Sequence, residues 1–497
     1  MKESSRIRAS HVNSGTSISR SDLRSTPLRG PEFRLGKLQV VSESSDATAF
    51  GGLALAAGLA KALRVPQKIN QALSLLRAHR PFHESDHVLT HVFNLFVGGT
   101  CIEDIGDLQH SEPARRIIGT TRIPDPTTAG DFLRRFKKED LDRLDQITDD
   151  LHREVWRRRY GRKKQAQAIL DLDSHIHHVY GNQKEGTDFT HKGKLGYHPL
   201  VLSLAETQEC LRLINRTGNV TSAEGAAAAV EGVIPLLKSR FNRILVRGDS
   251  AFACQALYDA CENNGLHFAF VSPAHTNLEA LADAIPERKW KPFPGSRQGQ
   301  ASKTKVKRRK RGKNVRRQKA RGRGKRDMKL EKQWVAEIPY QPSRSDQPFR
   351  LIVRRQRIEV SEQGELFELW RYRYVITNLP SSTKTAAVVR QTYQRCDQEK
   401  VIEQLQNGIA AMRMPTGTLD ANAAFLGCAR IAHNFKSWLA MIALPREVLR
   451  WEWKRFRKAF VYIAARVVRR SRRTIVRLAD SHRFAETVRV GMTNLQT

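Results

Sequence analysis

Cysteine is scarce in this chain and never clustered. Six cysteines are spread over 497 residues, at Cys101, Cys210, Cys254, Cys261, Cys396 and Cys428, with no CxxC pair. That spacing argues against a disulfide framework and a thiolate zinc site, and predicts a reducing, cytoplasmic setting. Long apolar runs are missing too. None approaches the ~20 residues needed to cross a bilayer, so no membrane partner is expected. The opening stretch, MKESSRIRASHVNSG, lacks the apolar core of a secretory signal. Neither GxxxxGK[ST] nor GxSxG occurs, which removes sequence support for an ATP-driven motor or a serine hydrolase. Acidic side chains are few relative to basic ones. Fifty Asp and Glu face 86 Lys and Arg, a formal net charge of +36. A surplus of that size requires an anionic partner, and nucleic acid fits best.

What is present divides the chain. Residues 1–40 are rich in Ser, Arg, Gly and Pro and read as a basic flexible arm. Residues 41–160 carry apolar residues at helical spacing, as in HVLTHVFNLFVGG, and predict a helical N-terminal region able to bind DNA or to pack on the rest. In IPDPTTAGDFL, Thr127 or Thr128 is a candidate cap after Pro126. Residues 161–275 change character: strand, strand, strand, helix, strand, helix, strand, with Ser222 as a candidate helix cap. This order predicts a mixed α/β domain.

Residues 276–380 read as a β-rich insertion holding a basic loop, 296–329, in which Asp327 is the sole acid. Lys307, Arg308, Arg309, Lys310, Arg311, Arg316 and Arg317 in that loop are candidate phosphate contacts. Trp334 and Trp370 of the insertion could stack on a flipped base, although core packing is the plainer account. Helices return over 381–445, where Phe425, Cys428, Ala429, Ala432, Phe435, Leu439 and Ile442 form one stripe. The end, 446–497, reads as basic helices whose Arg472 and Arg473 are further candidates for DNA contact.

The chemistry centres on acids. In ILDLDSH, alternation sends Asp171, Asp173 and His175 to one face of a strand. Two carboxylates in an apolar strand raise each other's pKa unless a cation neutralises them, and a divalent metal is the natural remedy. Asp249, in VRGDSAF, ends a second strand, and Gly248 before it allows a sharp turn; sites in α/β sheets gather at such strand ends, although capping a helix would also explain this Asp. A third acid comes from TYQRCDQEKVIEQLQNGIA, read as one helix burying Ile402, Leu405, Ile409 and Met412. Arg395, Glu399 and Gln406 share a stripe beside that apolar face, while Glu403 lies ~40° further out. A solvated charged face would account for either glutamate alone. Together, two strand acids and one helix acid can hold two divalent cations for phosphodiester chemistry, and carboxylates suit Mg²⁺ or Mn²⁺. A zinc reading of His175, His177 and His178 lacks a matching distant Cys/His cluster.

Four stretches, LDLDSHIHHVYGNQKEG, RGDSAF, YQRCDQEKVIEQLQNGIA with NAAFLGCARIAHNF, and IAARVVRRSRRTIVRLADSHRF, resemble in this order the DDE transposases of bacterial insertion sequences, of the IS4-like superfamily and its IS1380-like group. The resemblance spans about residues 85–485. It implies an RNase H-like catalytic core interrupted by the β-rich insertion, a helical N-terminal region and a basic helical C-terminal segment. It also implies Asp173, Asp249 and Glu399 as catalytic metal ligands for two ions, with Asp171 as supporting or alternative ligand. Arg395 matches the family's Tyr-Arg-Glu-Lys signature. The tyrosine position holds Thr392 with Tyr393 beside it, and the lysine position holds Gln406. Arg395 and Tyr393 are thus the expected phosphate contacts. Partners implied are double-stranded DNA, both terminal inverted repeats and target, and a second copy of the chain as a homodimer on DNA, associated with the nucleoid. A nuclease that cuts without joining, or a non-catalytic nucleic-acid-binding protein, would share the same composition.

Overall fold

The structure, a computed structural model, describes residues 46–181, 183–293, 327–345, 347–362 and 365–496. The basic arm and almost all of the basic loop, with Lys307, Arg308, Arg309, Lys310, Arg311, Arg316 and Arg317, lie outside the described residues.

The organising element is a nine-stranded mixed sheet. In chain order its strands are β1 (Gln165–Ser174), β2 (Leu200–Leu204), β3 (Cys210–Ile214), β4 (Phe241–Gly248), β5 (His267–Ser272), β6 (Lys291–Pro292), β7 (Asp327–Tyr340), β8 (Phe349–Glu362) and β9 (Glu365–Thr377). Across the sheet they run β6-β7-β8-β9-β5-β4-β1-β2-β3. The three strands β1, β4 and β5 are parallel, β1–β2–β3 form an antiparallel meander, and β9 joins β5 antiparallel, so the inserted strands prolong the sheet. The helices Ala226–Lys238 and Gln255–Asn263 are the crossovers that lead from β3 to β4 and from β4 to β5, as parallel strands require. Strand and helix order over 165–272 follows the sequence expectation for a mixed α/β domain.

Alternation along β1 and β4 sorts the faces. Leu170, Leu172, Ile244 and Val246 enter the main core with the crossover helices. Leu245 belongs to a second cluster with Ala269, Val335, Ile352 and Val375, closed by Val388 and Val389 of the helix Thr385–Tyr393; Ile169 packs against it. Asp171, Asp173 and Arg247 share the period of that second face. The central helix, Leu419–Ile442, is buried nearly all round and packs on the helices Glu84–Val97 and Lys138–Tyr160 and on β3. One of its polar side chains ties it to the sheet: Asn434 accepts from the Cys210 amide (2.8 Å) and donates to the Cys210 carbonyl (2.9 Å), pinning the β2–β3 turn. Beside it Glu209, fully buried, accepts from Trp438 (2.9 Å), Trp156 (3.1 Å) and Thr207 (2.6 Å) and meets His152 at 2.8 Å. A buried carboxylate is tolerated only when its oxygens are satisfied in this way.

Several local expectations need correction. The C-terminal region is not wholly helical. After the helix Trp453–Phe460 comes a hairpin, Ala465–Arg470 with Arg473–Leu478, before the last helix, Ala485–Gln496. Ser471 and Arg472 both have positive φ, 48° and 62°, the two-residue turn that matches strand twist. Ala465 and Val467 are buried between exposed arginines, a period of two that the helix-forming arginines masked. Asp125, rather than Thr127 or Thr128, caps the helix Pro126–Leu133 by accepting from the Thr128 amide at 3.0 Å. Ser222 does not cap the Ala226–Lys238 helix; Gly225 precedes it in a left-handed conformation, φ 70°. The glutamate segment is broken: one helix ends at Tyr393, a second runs Cys396–Glu403, and Gln404–Gly408 is a π-helical turn.

Candidate functional site

The site begins with one strand carrying two acids. Asp171 is fully buried and its carboxylate receives both arms of Arg247, Nε at 2.6 Å and Nη2 at 2.7 Å. Strand register makes the two residues neighbours, Asp171 on β1 opposite Arg247 on β4. Arg247 also donates to the Gln391 carbonyl, which ties the pair to the overlying helix Thr385–Tyr393. The pairing is bidentate and buried on both sides, so the two charges neutralise each other in the interior. The cation next to this acid is the Arg247 guanidinium, supplied by the chain itself.

Two residues on, at the carboxyl end of β1, Asp173 has a different setting. Oδ1 accepts from the Ser174 amide at 2.8 Å and Oδ2 from Arg395 Nη1 at 3.0 Å. Burial pushes the Asp173 carboxyl above its ordinary value; Arg395 pulls it down, and the charge of Asp249 pushes it up again. Asp249 follows the end of β4, and its Oδ1 accepts from the Ala251 amide at 2.9 Å, capping the short 3₁₀ turn Ser250–Phe252. Capping thus accounts for one oxygen of Asp249, which stands just past the carboxyl end of β4. Gly248 acts by space and not by a left-handed turn: a Cβ there would lie 2.7 Å from Cβ of Phe252.

The helix Cys396–Glu403 lies over β1 and β2. Buried Gln398 fixes it, donating to the Val201 carbonyl (3.3 Å) and accepting from Ser203 Oγ. Arg395 stands at its N-cap position, and Glu399 follows one turn later, exposed. Residues four apart on a helix share a stripe, so the glutamate shares the side whose arginine touches Asp173. The structure does not gather Asp173, Asp249 and Glu399 into a tight knot. Among the described residues, the one group of three His, Cys, Asp or Glu whose ligand atoms all lie within 4.8 Å is His79, His83 and Glu84.

The other expected contacts are distributed. Tyr393 lies against Arg354 of β8, whose guanidinium is 5.1 Å from the ring centroid, and burial pushes its hydroxyl up. Thr392 is buried and bonds back to the Val388 carbonyl at 2.9 Å. Arg472 and Arg473 are exposed at the tip of the C-terminal hairpin. In the insertion, Arg355 sits over Trp290, Trp334 and Trp370 at 4.3, 5.3 and 4.6 Å, held by Glu287 at 2.6 and 2.9 Å. A stacked base would have to displace that guanidinium from Trp334 and Trp370.

Sequence reasoning missed Arg247 and Gln398. Arg247 directly precedes the Gly-Asp pair and could have been found as the cation facing Asp171 once β1 and β4 were paired in register. Gln398 carries no signal before the helix is placed on the sheet.

Among solved structures, the cryo-EM structure of a piggyBac transposase synaptic complex with hairpin DNA is similar over 90% of this chain and 85% of that chain, at 11% sequence identity and a TM-score of 0.34. No curated protein matches. A family model described as transposase DDE domain, group 1, matches residues 34–497, and the chain belongs to that family of DDE transposases.

Proposed function

We propose that the chain is a DNA transposase of the IS4-like superfamily, IS1380-like group, which cuts phosphodiester bonds at the ends of its element and joins the freed 3′-hydroxyl to target DNA. The reading assigns Asp173, Asp249 and Glu399 as the acids that hold two divalent cations, Mg²⁺ or Mn²⁺, with DNA as substrate and a homodimer as the synaptic unit. One observation carries it. Asp173 and Asp249 stand at the carboxyl ends of adjacent parallel strands, and Arg395, one helical turn before Glu399, is bonded to Asp173. The strand order β3-β2-β1-β4-β5, a meander followed by two parallel strands, supports an RNase H-like core.

The donor set fits hard cations, being all carboxylate. Burial keeps the Asp173 carboxyl above its ordinary value despite Arg395, so a further cation beside this acid would favour its charged form. Acids shared between two ions need not converge within the span of a single-ion site. Bound there, such ions activate the attacking hydroxyl or water and stabilise the leaving oxygen. The chain's own part is positional. The Ser174 amide and Arg395 hold both oxygens of Asp173, Gln398 keeps the glutamate helix on the sheet, and Arg395 brings a fixed positive charge to the place where phosphate would lie.

The test uses the purified chain, DNA carrying the element ends, and Mg²⁺. Asp249→Asn and Glu399→Gln are each expected to abolish cleavage while end binding persists. Cleavage that survives Asp249→Asn would overturn the site. Cleavage without joining of a 3′-hydroxyl donor would favour a plain nuclease, and binding without any cleavage by the native chain a non-catalytic protein.

A further inference from the structure

We propose that His79, His83 and Glu84 form a binding site for a divalent transition-metal ion of the zinc type, remote in sequence from the acids assigned above and independent of that assignment. The three residues come from the end of the loop that follows the helix Val65–Ala72 and from the start of the helix Glu84–Val97. Their ligand atoms all lie within 4.8 Å of one another.

The carboxylate is the built part of the site. Glu84 is 1% exposed, and its Oε1 accepts from the amides of Leu75 and Leu76, both at 3.0 Å. Those two bonds fix the carboxylate plane and direct Oε2 towards His79 Nε2, 3.3 Å away. A tetrahedral ion with bonds of ~2.0–2.1 Å has ligand-to-ligand edges of ~3.3–3.4 Å, so this edge already has the required length. The ring of His83 lies parallel to that of His79, with centroids 5.1 Å apart and planes 11° apart. Its backbone amide is held by Asp86 at 2.8 Å, which anchors the residue at the helix entrance. Exposed His83 completes the set within the 4.8 Å span that all three ligand atoms share.

The chemistry of the donors selects the ligand. Two imidazoles and one carboxylate suit Zn²⁺ and its neighbours better than Mg²⁺ or Ca²⁺, which prefer oxygen throughout. The amides on Glu84 Oε1 play the orienting role that outer partners play around metal ligands. His79 is 48% exposed on its side chain, so the fourth position opens to water. Bound there, the ion would staple the loop before Glu84 to the helix that packs on the central helix Leu419–Ile442.

The experiment takes the full chain, stripped with a chelator, and titrates Zn²⁺ by calorimetry. The native chain and Asp249→Asn are both expected to take up one zinc equivalent and to melt at a higher temperature with zinc. His79→Ala and His83→Ala are each expected to weaken this uptake by more than ~100-fold, since even outer-partner losses cost 10–100-fold, and to lose the zinc-dependent rise in melting. Zinc isotherms identical in the native chain and both histidine variants would overturn the site, as would no uptake at micromolar zinc, which leaves a His79–Glu84 ion pair only. Should a variant misfold, Co²⁺ in the native chain decides: strong visible bands of a tetrahedral N/O set support the site, and the faint spectrum of a six-coordinate ion refutes it. Failure of the transposase reading would show in the cleavage assay and leave these outcomes untouched.

Discussion

Two residues of one strand, Asp171 in the sheet interior and Asp173 at its carboxyl edge, share a face and a charge but not a fate. The interior acid is locked in a bidentate pair with Arg247, both side chains almost wholly buried. The edge acid meets one arm of Arg395, both side chains 16% exposed. Depth decides the difference. In the interior a carboxylate without a matched cation would cost several kcal/mol, so its geometry is fully committed. At the strand end Asp173 keeps some exposure and a single arginine contact, so its geometry is less committed.

This contrast can be broken or sharpened by substitution. Asp173→Asn should lower DNA cleavage by about 10²–10³-fold, as loss of a preorganised electrostatic group at a reacting centre does, while the unfolding midpoint holds or rises. An active Asp173→Asn enzyme would remove the distinction on the functional side. Asp171→Asn should instead cost about 3–5 kcal/mol of stability in urea unfolding, because it strands Arg247 in the interior. The paired variant Asp171→Leu with Arg247→Met should recover most of that loss, since the cost belongs to the unpaired charge and not to the pair; no recovery would mean that Arg247 is needed mainly for its bond to Gln391. Arg395→Ala should cost less, about 1–3 kcal/mol, the penalty of an unsatisfied, partly buried acceptor. A loss equal to that of Asp171→Asn would show the edge pair to be as structural as the interior one. Smallest of all, Arg472→Ala with Arg473→Ala at the hairpin tip should change stability by under about 0.5 kcal/mol, and should lower the salt slope of DNA binding by about 0.9 for each phosphate that the arginines neutralise. An unchanged slope would show that these arginines do not touch DNA.

Much of the fold was legible because its signals are local. Period-two alternation sorted the faces of β1, the run ending in Gly248-Asp249 marked β4, and the stripe through Phe425, Ala432 and Leu439 marked the buried central helix. Failures occurred where one residue type serves two structures. The arginines of VVRRSRRTIV are good helix formers, and only the Ser471–Arg472 turn and the pairing of the hairpin with Ala47–Thr48 reveal strands there. In the glutamate segment, helical spacing ran on through Gln394 and Gly408, whereas packing against Trp453, 2.7 Å from where a Gly408 Cβ would stand, accompanies a π turn.

By itself the sequence pointed to a kind of chemistry: its excess of basic residues called for a polyanion, and acids read at strand ends and on a helix suggested the metal-dependent phosphodiester work proposed above. It also determined the α/β order, since alternation and helical stripes are properties of neighbouring residues. Only the tertiary structure decided how each of two nearly equivalent aspartates is paired, one bidentately in the interior and one by a single arm at the edge. That choice depends on Arg247 and Arg395, 76 and 222 residues from their acids, and the strength of an ion pair follows from burial and geometry that no local pattern records.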